Sequence, residues 1–383
     1  MPVPRKLEIF NKLKSKLELG ISIATFDVTT EPIWQRILIR ITIFSNMLCF
    51  LSSALHIVNT FHGQFTGNLA MSLMICTASM QILCKTVILR YHRNNLLELL
   101  DKVQSLHNDF ENKEINAIAE KNLTKFSNIW ITCFKWGKLF VIVVAICFST
   151  CNAIKGKSGV IIQIPLIPND FPYYTLIMVF MPFVFSTFAA VYVLSSDVSV
   201  AFFGFKIMAA ADILYDYISA NRDRIQEDAE FLRIITKRYC EVVDNIKLYN
   251  KVISVTNLVQ FVTSALLSFA TFSFIRLYII NPIGYILIWT ILFQLFIPCV
   301  FGEFIKFKME RLSITLYLTN WYDLSLKDQK SSLLVLGMIQ REYGLKAAGM
   351  YDVNIYTFIK IVKMAASWCT LIFTLETAFE KAA

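Results

Sequence analysis

Charged residues are scarce in this sequence, and their scarcity excludes an ordinary water-soluble protein. Only 17% of the residues are charged, whereas 56% are hydrophobic. A chain of this composition is too apolar to fold in water as one or two soluble domains. We therefore expect it to fold in a lipid bilayer.

Groups that carry enzyme chemistry are also few. The four histidines, His56, His62, His92 and His107, are scattered, and no two have the spacing of metal ligands. There is no glycine-rich phosphate-binding loop. The sequence therefore predicts no catalytic residues, no metal site and no cofactor.

Two further absences concern the secretory pathway. The N-terminal segment has no apolar run followed by a cleavage site, so we expect the first hydrophobic segment to act as the insertion signal. The nine cysteines are odd in number, and most of them fall inside hydrophobic segments. We interpret them as small packing residues rather than as a disulfide framework.

Seven hydrophobic segments are present, each able with its flanks to cross about 30 Å of hydrocarbon. The third is short and needs residues Ile129 to Trp136 to complete a span. The seven predicted spans are Ile37 to Ile57, Leu69 to Leu89, Leu139 to Ala153, Tyr173 to Phe203, Ile253 to Ile280, Ile283 to Ile305 and Tyr356 to Leu375.

Lysine and arginine set the predicted orientation, since they favour the cytoplasmic side. The segments on the N-terminal side of the membrane hold 28 of them and the opposite segments hold four. We therefore predict an all-α membrane protein of seven transmembrane helices with a cytoplasmic N-terminus and an extracellular C-terminus. The net charge of +9 is then a topology signal and gives no reason to invoke nucleic acid.

The connections predicted to be cytoplasmic are long and have helical patterns. Apolar residues recur at helical spacing between Asn94 and Phe126 and again between Ile213 and Asn250. We expect these helices to pack into a layer below the bilayer; the alternative is separate amphipathic helices on the lipid surface. The predicted organisation is a cytoplasmic segment 1–36, six spans over 37–305, an anchor helix and hinge over 306–349, a seventh helix over 350–377 and a tail 378–383.

The string Asn281-Pro282-Ile283-Gly284-Tyr285 matches the NPxxY string of G-protein-coupled receptors. In those receptors it lies at the cytoplasmic end of the seventh helix, whereas here it lies between spans five and six. Their N-terminus is also extracellular. We interpret the string as a turn.

Aromatic residues, methionines and cysteines occur in the halves of several spans that we predict to be extracellular. An apolar cavity with few charges suits a small hydrophobic ligand. Membrane-protein cores share this composition, so plain packing is the alternative for each residue. The candidate ligand-binding residues are Met74, Cys147, Phe148, Cys151, Tyr174, Met178, Met181, Phe185 and Trp289.

The last span has a stripe of residues spaced by three or four. Polar residues precede a pair of leucines, and an acidic residue follows them, which is the order expected of a cation pore with a hydrophobic constriction. Because one helix cannot enclose a pore, this interpretation requires a ring of subunits. Packing of the stripe on the other six helices is the alternative. The stripe runs through Lys360, Met364, Ser367, Leu371, Thr374 and Leu375 to Glu376.

The last hundred residues resemble the insect odorant receptors. LYLTNWYDLS, from Leu316 to Ser325, resembles the tryptophan-centred cytoplasmic helix of that family. VNIYTFIKIVKMAASWCTLI, from Val353 to Ile372, resembles its C-terminal pattern of Asn, Phe, a small apolar run and an aromatic residue. Trp368 stands where the family usually has tyrosine, and Cys369 where phenylalanine is common.

The resemblance implies an odorant-gated, non-selective cation channel in the plasma membrane of olfactory sensory neurons. In that family four subunits surround a pore lined by the last helix, and cytoplasmic helices form an anchor layer. Leu371 and Leu375 take the gate positions, with Ser367, Thr374 and Glu376 beside them. The connection from Phe205 to Lys251 lacks the insertion of the shared co-receptor. This chain is therefore similar to a ligand-tuning subunit, which assembles with that co-receptor. The resemblance places its odorant pocket in the outer half of the membrane, among spans two, three, four and six.

Two other classes remain as alternatives. A gustatory receptor shares the topology and the tetrameric pore, but its TYhhhhhQF string matches Ser367-Trp368 through Thr374-Leu375 poorly. A secondary transporter is expected to have inverted repeats and broken helices, and we find neither in the sequence.

Overall fold

The structure, a computed structural model, describes residues 5–27, 32–60, 66–108, 110, 112–155, 172–221 and 229–382. Its helices are α1 (Arg5–Thr25), α2 (Ile33–Thr60), α3 (Gly67–Tyr91), α4 (Arg93–Ser105), α5 (Lys113–Lys155), α6 (Tyr174–Ala220), α7 (Ala229–Leu277), α8 (Pro282–Tyr317), α9 (Leu326–Ile339) and α10 (Ile355–Ala382). A short 3₁₀ helix, Trp321–Asp323, follows α8. Strands β1 (Lys346–Ala347) and β2 (Tyr351–Asp352) form an antiparallel hairpin before α10.

The predicted spans correspond to helices of the structure. In the described part, six helices are long and apolar enough to cross a membrane, and they are α2, α3, α5, α6, α7 and α8. α10 contains the seventh predicted span. α5 joins Ile129 to Trp136 with the short third segment, as the sequence predicted. α7 ends at Leu277, so the last three residues of the fifth predicted span lie beyond the helix.

Three helices are much longer than a bilayer requires. α5, α6 and α7 have 43, 47 and 49 residues, whereas about 20 suffice to cross the hydrocarbon. Their polar ends pack with α1, α4 and the end of α8 around one large apolar core. The apolar residues predicted on these ends, such as Leu99, Ile218 and Ile235, are buried there. Other helices of the same chain therefore cover these stripes.

The N-terminal helix α1 was not predicted from the sequence. Phe10, Leu13, Leu17 and Ile21 are spaced by three or four residues and are all buried in that core. Because lysines separate these apolar residues, the segment contains no continuous hydrophobic run. Its helical spacing was the available signal.

The region between α8 and α10 differs from the prediction in two ways. The tryptophan-centred stretch is not a helix: α8 ends at Tyr317 and Trp321 begins a 3₁₀ turn. The next helix, α9, has a regular N-cap, since the Ser325 hydroxyl accepts a hydrogen bond from the Asp328 backbone N–H at 3.3 Å. The segment before residue 350, where we expected a hinge, ends in the β1–β2 hairpin, in which Gly349 has φ +73°.

The Asn281-Pro282 string starts α8. The Asn281 side chain accepts a hydrogen bond from the Ile283 backbone N–H at 3.2 Å, and Pro282 occupies the first turn. The Asn281 N–H closes a turn onto the Tyr278 carbonyl at 3.0 Å. The turn interpretation is therefore correct for Asn-Pro, while Gly284 lies inside the helix.

Gly302 brings α8 against the hairpin that leads into α10. A Cβ at this position would overlap the carbonyl oxygen of Val353.

We expect Gly302→Ala to lower the free energy of unfolding by about 1–3 kcal/mol, because the backbone at Val353 or in α8 must shift to admit the methyl group. A Cβ on Gly337 in α9 would have no other atom within 4 Å, so Gly337→Ala should stabilise the protein by about 0.5–1 kcal/mol. Thermal unfolding in detergent compares the two variants, and equal effects would contradict the close approach.

Candidate functional site

One face of α10 packs on the rest of the chain. Ile361, Ala365 and Cys369, spaced by four residues, are buried against α7 and α8. The Cys369 sulfur lies 3.8 Å from the Ser273 hydroxyl of α7. This face fixes the rotation of α10 about its own axis.

The predicted pore stripe lies on the opposite face of α10. Ser367 and Thr374 are exposed, and Leu371 is 58% exposed. Lys360 and Lys363 are exposed as well. Within the chain, the side chains of Ser367, Leu371 and Thr374 are therefore not covered by the other helices. The side chains of Leu375 and Glu376 lie outside what the structure describes.

The structure brings three of the predicted ligand-binding residues together. Met74 of α3 and Phe185 of α6 are buried in one apolar cluster, and Met181 packs against it. We call this group the Met74 cluster. Its other buried members come from α2, α3, α7 and α8: Cys49, Ala70, Met71, Leu267, Ala270, Phe274, Ile283 and Ile291.

The other predicted ligand-binding residues lie elsewhere or outside the description. Trp289 of α8 is 72% exposed, and Cys147 of α5 is half-buried. Neither residue is among the described members of the Met74 cluster. Their part in ligand binding stays a prediction. The side chains of Phe148, Cys151, Tyr174 and Met178 lie outside what the structure describes.

The sequence did not predict that α7 contributes residues to the Met74 cluster. Leu267, Ala270 and Phe274 line it at helical spacing, although the fifth span was not among the expected pocket helices. The helical spacing of these residues marks one face of α7, but it does not say which neighbour that face meets.

A separate cleft lies between the polar ends of the long helices, away from the Met74 cluster. It is lined by residues that include Leu106, Phe110, Arg238 and Asn245. Its volume of about 20 Å³ is close to the space that one water molecule needs. It is too small for an organic ligand.

An ion pair lies within the apolar part of the helices. Lys85 of α3 is 2% exposed, and its Nζ lies 2.9 Å from Asp197 Oδ1 of α6. Gln294 of α8 donates to the other Asp197 oxygen at 3.4 Å, and Gln260 of α7 donates to the Gln294 carbonyl at 2.7 Å. This network ties four helices together.

A second buried cation lies near the polar ends of the helices. Lys206 Nζ is 2.6 Å from the Ser127 hydroxyl and 3.2 Å from His107 Nε2. The Phe10 ring of α1 stacks on His107 with centroids 4.4 Å apart. Burial, reinforced by the Lys206 charge, lowers the pKa of His107 to about 3, so the imidazole is neutral and accepts from the lysine.

Together these features define a multi-pass helical membrane protein with an apolar cluster enclosed by its spans and a last helix that is packed on one side only. A family model described as the 7tm odorant receptor matches residues 66–366. The chain therefore belongs to the odorant receptor family. Membership in this family agrees with the prediction that the protein is not an enzyme. It also decides for an odorant receptor over the two alternatives, a gustatory receptor and a secondary transporter.

Known proteins agree with this assignment. Odorant receptor 33b of Drosophila melanogaster is 28% identical over 83 residues, a stretch that spans 22% of this chain and 22% of that relative. The olfactory receptor OR5 of Machilis hrabei has a similar fold, with a TM-score of 0.72 at 11% identity over 97% of this chain and 99% of that one. Its complex with eugenol gives a TM-score of 0.76 over the same shares.

Proposed function

We propose that this protein is a subunit of an odorant-gated, non-selective cation channel. The observation that carries the proposal is the two-faced α10. Its packed face holds the helix in place, while Ser367, Leu371 and Thr374 stay uncovered on the other. Polar groups facing hydrocarbon are costly in a membrane, so a water-filled pore accounts for them better than lipid does. Leu371 and Leu375 then form the hydrophobic gate, with Glu376 at the outer mouth.

The Met74 cluster is the proposed odorant site. Met74, Met181 and Phe185 offer polarisable and aromatic surface with little charge, which suits a small apolar volatile. The similar fold that was solved with eugenol supports this assignment. The cluster also contacts α7 and α8, the two helices on which α10 packs. A ligand that favours a different arrangement of α7 and α8 would therefore shift α10 as well.

The pore requires other subunits, and α9 offers a surface for them. Leu326 is 79% exposed and Leu334 is 74% exposed on this helix. Leu333, next to Leu334, is 53% exposed as well, and contiguous exposed apolar patches mark interaction surfaces. We propose a heterotetramer with the odorant receptor co-receptor, in which this chain is the ligand-tuning subunit and the cytoplasmic helices form an anchor layer.

The proposed location is the plasma membrane of olfactory sensory neurons. The N-terminus is cytoplasmic and the C-terminus extracellular in this proposal, as the distribution of lysine and arginine favours.

Substitution in the Met74 cluster tests the odorant site. We expect Phe185→Ala to weaken the response to an activating odorant by about tenfold or more, because truncation removes buried aromatic contact. Phe180→Ala is the matched control, since Phe180 lies on the same helix but is 60% exposed. Currents are recorded with and without the co-receptor against small aromatics and esters. Equal shifts for both variants would contradict the site, and the absence of current in every condition would argue against a channel.

A further inference from the structure

The register of α3 against α7 follows from one contact at an end of α3 and one further along it. A Cβ on Gly67 would overlap the ring of Tyr278, and the Thr271 hydroxyl oxygen lies 3.0 Å from Met74 Sδ. The step of seven residues from Gly67 to Met74 on α3 is matched by seven residues backward from Tyr278 to Thr271 at the end of α7, as in antiparallel helices that pack with a heptad repeat.

The next heptad places polar residues level with one another. Continued by one heptad, this repeat places Gln81 of α3 level with Ser264 of α7, and four residues further it places Lys85 level with Gln260. Ser268 lies between Ser264 and Thr271 on the same face of α7. All of these side chains are buried. We call Gln81, Ser264 and Ser268 the polar seam; it begins about 4.5 Å along α7 from Thr271, which touches the Met74 cluster.

The hydroxyls of the polar seam differ from their neighbours on α7. Thr263, Thr271 and Ser273 donate to the carbonyl four residues earlier, at 2.7, 2.7 and 2.9 Å. Such back-bonding is the usual way for a hydroxyl to be satisfied in a membrane helix. Within the described residues, the Ser264 and Ser268 hydroxyls and Gln81 Nε2 have no hydrogen-bond partner.

Unsatisfied buried polar groups are expensive, and most of them have a partner in the functional state. The two hydroxyls and the amide are donors along one seam, with Gln81 level with Ser264 and Ser268 one helical turn away. A matching ligand has an apolar skeleton and one neutral oxygen that accepts hydrogen bonds. A charged group is not required, because Lys85 is already paired with Asp197.

We propose that the polar seam is a hydrogen-bonding subsite of the odorant site and that it binds the oxygen of a small oxygenated volatile. The inference rests on the proposed odorant site in the Met74 cluster. The apolar skeleton of the ligand lies against Met74 and Phe185. Its hydroxyl or carbonyl oxygen accepts a hydrogen bond from the Ser268 hydroxyl. Ser264 and Gln81 lie further along the seam, away from the Met74 cluster. The preferred ligands are therefore alcohols, ketones and esters rather than hydrocarbons.

Matched pairs of probes test this specificity. Acetophenone is compared with α-methylstyrene, and benzyl alcohol with ethylbenzene, so that only the oxygen changes. Binding is measured as ligand-induced thermal stabilisation of the full-length protein in lipid nanodiscs with the co-receptor. We expect Ser268→Ala to weaken binding of the oxygenated probes by about threefold to tenfold and to leave the hydrocarbons unchanged. Without ligand, Ser268→Ala should not lower the unfolding temperature, because the lost hydroxyl has no partner among the described residues.

Thr263→Val is the matched control, since the Thr263 hydroxyl is satisfied by its own helix. The subsite is overturned if oxygenated probes at millimolar concentration stabilise the wild type no more than their hydrocarbon partners do. It is equally overturned if Ser268→Ala shifts both members of a pair alike, which is the result expected when the seam holds only water. Oxygen-selective binding without any current would support the subsite while contradicting the channel.

Discussion

Replacing Leu371 with alanine is expected to raise the current that flows without odorant. Leu371 is exposed on the uncovered face of α10. In the proposed channel a ring of such side chains closes a narrow pore by excluding water. Truncation widens and wets that ring. If the closed state loses about 1.4 kcal/mol, the basal open fraction rises about tenfold. Leu375→Ala should act in the same direction, one helical turn later.

Ile359→Ala is the matched control for this prediction. Ile359 is also exposed on α10, but three turns and a third before Leu371, so that it lies on a different side of the helix. Whole-cell currents are compared at equal surface expression. Unchanged basal current, permeation and odorant response in both Leu371→Ala and Leu375→Ala would refute the gate assignment.

Asp197→Asn is expected to destabilise the protein more than any surface substitution. It leaves the Lys85 ammonium, which is 2% exposed, without its partner among the spans. Removing one partner of a buried pair costs about 3–5 kcal/mol, since the remaining charge is uncompensated. We expect a large loss of folded protein at the cell surface and a lower unfolding temperature in detergent.

The double variant Lys85→Met with Asp197→Leu should recover most of that loss, because no unpaired charge then remains at this site. The exposed pair Lys247 and Asp244, 3.6 Å apart with side chains 66% and 63% exposed, is the control. Breaking it with Asp244→Asn should cost less than about 1 kcal/mol. A stability loss for Asp197→Asn no larger than that for Asp244→Asn would contradict the structural role of the Lys85 pair.

The sequence predicted the spans well because length and hydrophobicity decide whether a helix crosses a bilayer. The stripe on α10 was also visible, since Ser367, Leu371 and Thr374 share a face at helical spacing. The spacing left open what that face meets. The structure adds that Ala365 and Cys369, on the other side of α10, are buried, so the stripe is not the face that packs on the rest of the chain.

The remaining features depend on tertiary contacts that the sequence does not express locally. α1 has no continuous apolar run, and its stripe becomes meaningful only against α6 and the core beside it. The hairpin before α10 consists of two-residue strands, too short for a periodic pattern. The composition of the spans marked Trp289 and Phe185 alike as candidates, but the rotation of each helix buries Phe185 and exposes Trp289.

Cysteine accessibility in the last helix tests the central claim most directly. Ser367→Cys, Thr374→Cys and, as a buried control, Ala365→Cys are each expressed with the co-receptor. A charged methanethiosulfonate reagent is applied from outside during odorant exposure, after the wild type has been checked for insensitivity. If α10 lines the pore with its uncovered face, the reagent blocks current through Ser367→Cys and Thr374→Cys, faster in odorant, and spares Ala365→Cys. Equal modification of all three positions, or none at Ser367 and Thr374, would contradict a pore along this face.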